Sequence, residues 1–424
     1  MPSLSDLAFL TPILVLFWCT TGVGWLLTDS DTGWHIRAGE WILKTGRVPA
    51  RDLFSFTKLG QPWFAWEWLS DVLMAVIHRD FGLAGIVLAS LLILGATSVC
   101  VYRSTLAESG HRVIAIVLTG LAMSASTIHW LARPHLVTPF FAAVFCWALN
   151  RTERKRIAAT LWTLPLLTMP WVNLHGGFFV GIVLLITYAI GAAAEELVNE
   201  TRQNGWFRAR KYLLTAGACA IASLVNPYHC RLHVHVAQYL GASFYLQRIS
   251  EFQSIDFHSF TAGYFETLLV LAIAAAAWHL GAARLIHVLL LLSWSHLALF
   301  SARNIPIFAV VAAPGIGLAV REWLEYAGSR WPLEWRERSV RALQISKLDC
   351  EASRTFTREG TGISGPVSAC SCWHCFSPIP VESKLFILNS TGIVSQSMRR
   401  LFSPRRSLSR RQSGCTRAGS GVGT

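Results

Sequence analysis

The sequence predicts an all-α polytopic membrane protein of about ten transmembrane helices. A long external first loop carries interfacial helices, and the C-terminal tail is largely disordered. Three observations predict this. Hydrophobic residues make up 53% of the 424 and charged residues only 14%, against about 45–50% and about 25% in soluble proteins. Apolar runs of spanning length recur over three quarters of the chain. Lys and Arg are concentrated in alternate loops. The composition excludes a disordered protein and argues against a soluble enzyme.

The runs come first, because about 20 apolar residues cross a bilayer as a helix. The clearest are residues 7–27, 81–102, 113–132, 176–194, 265–283, 285–300 and 305–320. Shorter or Pro-interrupted runs are 136–149, 157–172 and 212–225, with Pro139, Pro165 and Pro170 in or near them. Pro is tolerated in membrane helices whose neighbours re-satisfy the backbone. The first run lacks a basic start and a small-residue cleavage site, so it reads as a retained span.

Loop charge gives orientation, since Lys and Arg stay cytoplasmic. With the N-terminus inside, one side holds Arg103 and Arg112, the run Arg151 to Arg156, the group Arg202 to Lys211, and Arg284. These read as solvated topology anchors. The short loops opposite hold single arginines, Arg133 and Arg303. Two long segments, residues 28–80 and 226–264, are also external.

The organisation expected is a membrane domain over residues 1–335 and a basic Ser/Arg/Cys-rich tail over 336–424. From Ser346 onward the tail carries 11 basic and 4 acidic residues, more than half of the net charge of +13. The basicity is therefore no sign of a nucleic-acid partner. Three readings fit: a basic tail on anionic headgroups, a small folded domain, or a frameshifted translation. The abrupt change in composition favours the third. Cys370, Cys372, His374 and Cys375 form one cramped group without the second ligand pair a zinc site needs.

Polar motifs fall on the external side. Asp29 and Asp31 follow the first span. They read either as helix caps or as a base and cation ligand. Trp34, Ala38, Trp41, Ile42 and Thr45 then lie at helical spacing, an interfacial amphipathic helix ended by Gly46. Glu67 stands between Trp66 and Trp68, which with Trp63 read as an aromatic belt or a sugar platform. Arg133-Pro134-His135, Asn173-Leu174-His175-Gly176, Asn226-Pro227-Tyr228 and Ser301-Ala302-Arg303-Asn304 occupy further external turns. Arg133 and Arg303 are either snorkelling anchors or phosphate forks. His175 is either a satisfied loop histidine or a donor to a phosphate or sugar hydroxyl. Cys230 has no evident partner.

These residues carry a resemblance. Asp29-Ser30-Asp31-Thr32-Gly33-Trp34-His35-Ile36, Gly46-Arg47-Val48-Pro49, Asp52-Leu53-Phe54-Ser55-Phe56-Thr57 and Glu67-Trp68-Leu69 resemble the GT-C class of membrane glycosyltransferases. The similarity is to the bacterial branch near the lipid A sugar-transferase and protein-mannosyltransferase-like enzymes. Ala132-Arg133-Pro134-His135 and the Asn173 and Asn226 motifs resemble it too. The resemblance covers about residues 1–320. It implies a bacterial cytoplasmic membrane, a polyprenyl-phosphate sugar donor, a lipid, glycan or protein acceptor, and inversion at the sugar. It implies Asp29 or Asp31 as catalytic base. Glu67, Arg133, His135, His175 and Arg303 are expected to bind substrate, and Asp29 with Glu67 to hold any Mg²⁺ or Mn²⁺ required. The class commonly adds an external domain after the last span, and none is recognisable here. The alternatives are a transporter or lipid flippase, whose polar groups belong at mid-span, and a non-catalytic membrane protein. His279, His287 and His296 are scattered along spans, and the two halves show no repeat.

Overall fold

The computed structural model describes residues 3–155, 158–198 and 204–330. The tail, with its zinc question and its frameshift reading, lies outside the described residues, and so do Arg156 and Arg202. Among the described residues the chain is all-helical. One isolated bridge, Arg51 to Pro62, is the only β pairing there. Five segments are long and apolar enough to cross a membrane: Trp68–Ser109, Arg112–His129, Gly176–Val198, Ala262–Gly281 and Ala302–Ser329. Leu4–Cys19 and Leu285–Phe300 are shorter apolar helices. Large apolar side chains stand exposed on them, among them Leu14, Phe17 and Trp18 on the first helix and Leu88 and Leu92 later. Such surface suits a lipid solvent. The chain is a membrane protein.

The helices run in order α1 (Leu4–Cys19), α2 (Asp31–Thr45), α3 (Trp68–Ser109), α4 (Arg112–Ser126), α5 (Val137–Lys155), α6 (Thr163–Leu174) and α7 (Phe179–Val198). Then follow α8 (Gly205–Ala222), α9 (Cys230–Gly241), α10 (Ser243–Arg248), α11 (Ala262–Gly281), α12 (Leu285–Phe300) and α13 (Ile305–Ser329). The core centres on α13, which packs against α3, α4, α5, α11 and α12. Its residues from Ile305 to Ala319 are buried all round, the signature of a central helix.

Two boundaries differ from those expected. The first span ends at Cys19, and a 3₁₀ turn over Val23–Leu27 follows. Helix α3 starts at Trp68, inside the segment read as loop. Gly82 breaks the regular geometry with φ +63°, a conformation that costs other residues. So an entry helix and a spanning helix are joined at a kink. The amphipathic helix read from Trp34 to Thr45 is present as α2, ended by Gly46. Gly39 lets α2 lie directly on α3, since a Cβ there would meet the Asp71 carbonyl oxygen at 1.9 Å.

The basic loops differ from solvated anchors at several points; Arg154, for one, approaches Glu108 at 3.4 Å. Arg208 pairs with Glu153 and with Glu195, and Tyr212 donates to Glu153. Glu195 is buried and also accepts from the Ile286 amide at 3.3 Å. This knot ties α5, α7, α8 and α12. Arg284 forks onto Glu322 at 2.8 and 2.9 Å, tying α12 to α13.

Candidate functional site

Arg133 is the hub of a first cluster. As the residue before Pro134 it is extended, with φ −132° and ψ 162°, as proline requires of its predecessor. The Ala132 amide donates to Leu26 at 2.7 Å and the Thr32 hydroxyl to the Ala132 carbonyl at 3.0 Å. These bonds hold Arg133 beside the start of α2. There the Asp31 amide donates to Asp29 at 2.8 Å, a local turn that turns both carboxylates to one side. The Arg133 guanidinium takes Asp29 at 2.8 Å, Asp31 at 2.9 Å and Glu251 at 2.9 Å. Burial disfavours its charge, but Glu251, Asp31 and Asp29 outweigh that and raise its pKa. Arg303 approaches the other Glu251 oxygen at 3.7 Å and stacks on Phe252 at 4.6 Å.

Glu67 is the hub of a second cluster. It sits at the N-cap of α3, and its oxygens face His175 at 3.3 Å and His35 at 3.7 Å. His35 in turn contacts Asp71 at 2.7 Å. The His175 Nδ1 accepts from the Gly177 amide at 3.0 Å and pairs with the Thr138 hydroxyl at 2.7 Å. An amide donor on Nδ1 places the proton of the neutral ring on Nε2, facing Glu67. The Trp171 indole donates to Thr138 at 3.2 Å. Burial pushes the Glu67 carboxyl up to about 7, opposed by His35 and reinforced by Asp71. Burial, with His135 and Arg303 nearby, holds the His175 pKa well below the ordinary value.

His135 is also buried and held neutral, first by burial and then by His129 and Arg133. Its Nε2 donates to the His129 carbonyl at 2.8 Å. Its Nδ1 is buried with no partner among the described residues. That nitrogen is therefore an acceptor with a free lone pair.

A cavity of about 350 Å³ opens beside Glu67, His135 and Arg303. Its polar lining includes Glu67, His129, His135, His175 and Arg303, with Thr97, Ser126, Thr138, Ser301 and Asn304. Its apolar lining includes Leu94, Met123, Val180, Val183, Trp294 and Val310, on five packed helices. Trp66, Val236, Tyr239, Leu240 and Phe252 also line it.

Four of the sequence-predicted site residues, Glu67, His135, His175 and Arg303, line this cavity. Asp29, Asp31 and Arg133 do not; they form the first cluster, bridged to Arg303 by Glu251. Asp29 and Glu67 stand in separate clusters. The Asp29 oxygens are taken by the Asp31 amide and Arg133, and the Glu67 oxygens face two imidazoles. No group of three His, Cys, Asp or Glu suits a metal among the described residues.

Among the aromatics, Trp66 lines the cavity, while Trp68 donates to Asn173 at 2.9 Å and Trp63 packs edge-on to Trp34. Asn226 caps its own turn, and the Tyr228 hydroxyl accepts from the Ala65 amide at 2.9 Å.

Sequence reasoning missed His35, Asp71, His129, Thr138 and the bridging role of Glu251. Glu67 and Asp71 are four apart, which puts them on one helical face once α3 is started at Trp68. The same spacing joins Asp31 and His35. No signal in the sequence marks Thr138 or His129. No protein-family model matches the chain, and no curated protein sequence matches it.

Proposed function

We propose that this chain is a membrane glycosyltransferase. It moves a sugar from a polyprenyl-phosphate donor to an acceptor hydroxyl at the external membrane face, with about ten crossings and the N-terminus inside. The observation that carries the reading is the cavity. It pairs an apolar lining on packed membrane helices with a polar lining that includes one arginine, three histidines and one carboxyl. Its volume falls within the range of about 300–1,000 Å³ usual for small-ligand sites. An isoprenoid chain suits the apolar lining, and a phosphate and sugar suit the polar lining.

The chemistry follows from the groups present. A base takes the proton of the acceptor hydroxyl. The acceptor oxygen bonds to the anomeric carbon as the bond from that carbon to the phosphate oxygen breaks. The lipid phosphate leaves with the electron pair. Arg303 lines the cavity and meets Glu251 only at 3.7 Å among the described residues, so its fork can turn to the growing charge. The His135 Nδ1 accepts from a sugar hydroxyl, and the His175 Nε2–H keeps Glu67 oriented. Glu67 is the base favoured by its place in the wall and by a pKa near working pH. The resemblance assigns the base to Asp29 or Asp31, which Arg133 holds in ion pairs at 2.8 and 2.9 Å outside the cavity wall.

The test is transfer of labelled sugar in membranes, using a panel of polyprenyl-phosphate hexoses and pentoses. Loss in Glu67→Gln with retention in Asp29→Asn/Asp31→Asn supports Glu67. The reverse result supports the aspartates. Transfer unchanged in both variants sinks the reading.

A further inference from the structure

The first cluster has a charge imbalance. Among the described residues, the always-charged cations facing Asp29, Asp31 and Glu251 are Arg133 and Arg303. His129 approaches Glu251 at 3.9 Å. An arriving anion meets a net negative group until one carboxylate is neutralised or steps aside. Glu251 alone among the three pairs with both arginines. Asp29 is pinned by the Asp31 amide, and Asp31 opens α2. Glu251 instead rides on a single 3₁₀ turn, Ser250–Phe252. That turn is docked by the Ser301 hydroxyl on the Glu251 carbonyl at 3.0 Å and by the Ala302 amide on Gln253 at 2.9 Å. The carboxylate can therefore swing while the backbone of the turn stays in place.

We propose that Glu251 is a resident anion, anchored on Arg133, that competes with the phosphate group of the ligand for Arg303, the arginine that lines the cavity. It sets the affinity of the site and helps release the product phosphate. This rests on the reading of the cavity as a lipid-phosphate site. Unlike the donor, a diester of single charge, the product lipid phosphate is a monoester and carries about −1.5 to −2 charge at neutral pH against −1 for a carboxylate. It also offers three oxygens to the arginine fork. It therefore wins Arg303 when it forms. Glu251 re-pairs with Arg303 when the product leaves, so that arginine is never left bare.

The experiment uses the full chain in lipid nanodiscs and three probes: farnesyl phosphate, farnesol and inorganic phosphate. Glu251→Gln keeps the shape and removes the charge. It is expected to bind farnesyl phosphate at least about tenfold tighter than wild type. Inorganic phosphate binds more weakly than farnesyl phosphate but gains a similar factor. Farnesol binding is the same in both proteins. Asp256→Asn, a nearby exposed carboxylate paired only within its own turn, behaves as wild type. Glu251→Ala gives the same tightening and carries the test if the Gln variant does not fold. The proposal is overturned if farnesyl phosphate binds wild type and both variants equally, or if farnesol gains the same factor. Farnesyl phosphate binding to none of these proteins overturns the lipid-phosphate reading as well.

Discussion

The Nε2 of His175 stands 3.3 Å from an oxygen of Glu67. The other imidazole nitrogen is held by the Gly177 amide and the Thr138 hydroxyl. This makes His175 a neutral donor aimed at a carboxylate, with its tautomer set by the chain that follows it. The Asp71 to His35 contact at 2.7 Å reaches the same carboxylate from the opposite side. Glu67 is thus positioned by two elements brought together from α2 and from the turn before α7.

The pH dependence of transfer follows from Glu67. Its carboxyl is raised to about 7, and a base must be ionised to act. The rate rises with pH through about 7 and flattens above it. Stability runs the other way. The folded chain holds a proton that the unfolded chain releases near 4.5, so this group's stabilising effect is lost as pH rises through about 7. Melting followed from pH 4.5 to 8.5 shows a fall that levels off above about pH 7, and Glu67→Gln flattens that fall. A rate limb with an ordinary carboxylate midpoint refutes the assignment.

Thr138 supports the site without lining up as an obvious candidate. Its hydroxyl bridges the Trp171 indole and His175. Thr138→Val keeps the volume and leaves both partners short of a bond. The expected loss is about 1–3 kcal/mol of stability, the usual cost of orphaned buried polar groups. Thr138→Ser retains the hydroxyl and restores most of it. Thermal melting of the two variants in one detergent checks this. Equal melting of Val and Ser variants contradicts the bridge.

The fold was legible where periodicity and hydropathy speak. Residues 113–132, 176–194, 265–283 and 305–320 read as apolar spans, and the structure has apolar helices there. The amphipathic helix α2 was legible from its spacing and from Gly46. The start of α3 was not, because Trp68 to Asp80 mixes Asp71, His78 and Arg79 among apolar residues. That mixture is what buries Asp71 against α2. Glu67, His175 and Arg303 were legible as candidates because they are polar residues at span ends. Their partners were not. Glu251 is 118 residues from Arg133, and Asp71 is 36 from His35. Pairings of that range are set by helix packing, which a single sequence does not display.

Arg133 is predicted to matter for stability as much as for chemistry. It holds three carboxylates while only 16% exposed. Arg133→Gln leaves them facing one another. A fully buried broken pair costs about 3–5 kcal/mol; with Asp31 38% exposed to solvent, about 2–3 kcal/mol is expected. Adding Asp29→Asn removes part of the repulsion and recovers some of it. A double variant no more stable than Arg133→Gln alone speaks against the cluster.

The packing of α2 on α3 gives the sharpest steric prediction. A Cβ on Gly39 meets the Asp71 carbonyl oxygen at 1.9 Å and the Ala75 Cβ at 2.8 Å. The first contact is backbone, so a side-chain adjustment cannot relieve it. Gly39→Ala must push the two helices apart. The His35 to Asp71 bond is carried by those same two helices, and it lengthens or breaks. The expected cost is about 1–3 kcal/mol from overpacking, with transfer reduced because Glu67 loses its support on the α2 side. Gly33 lies in the same helix with open space around its Cβ direction. Gly33→Ala should instead stabilise by up to about 1 kcal/mol through helix propensity. The opposite signs of two Gly→Ala changes six residues apart, read by melting in one detergent, isolate helix contact from propensity. Equal effects at both positions would mean that α2 does not lie on α3 at this distance.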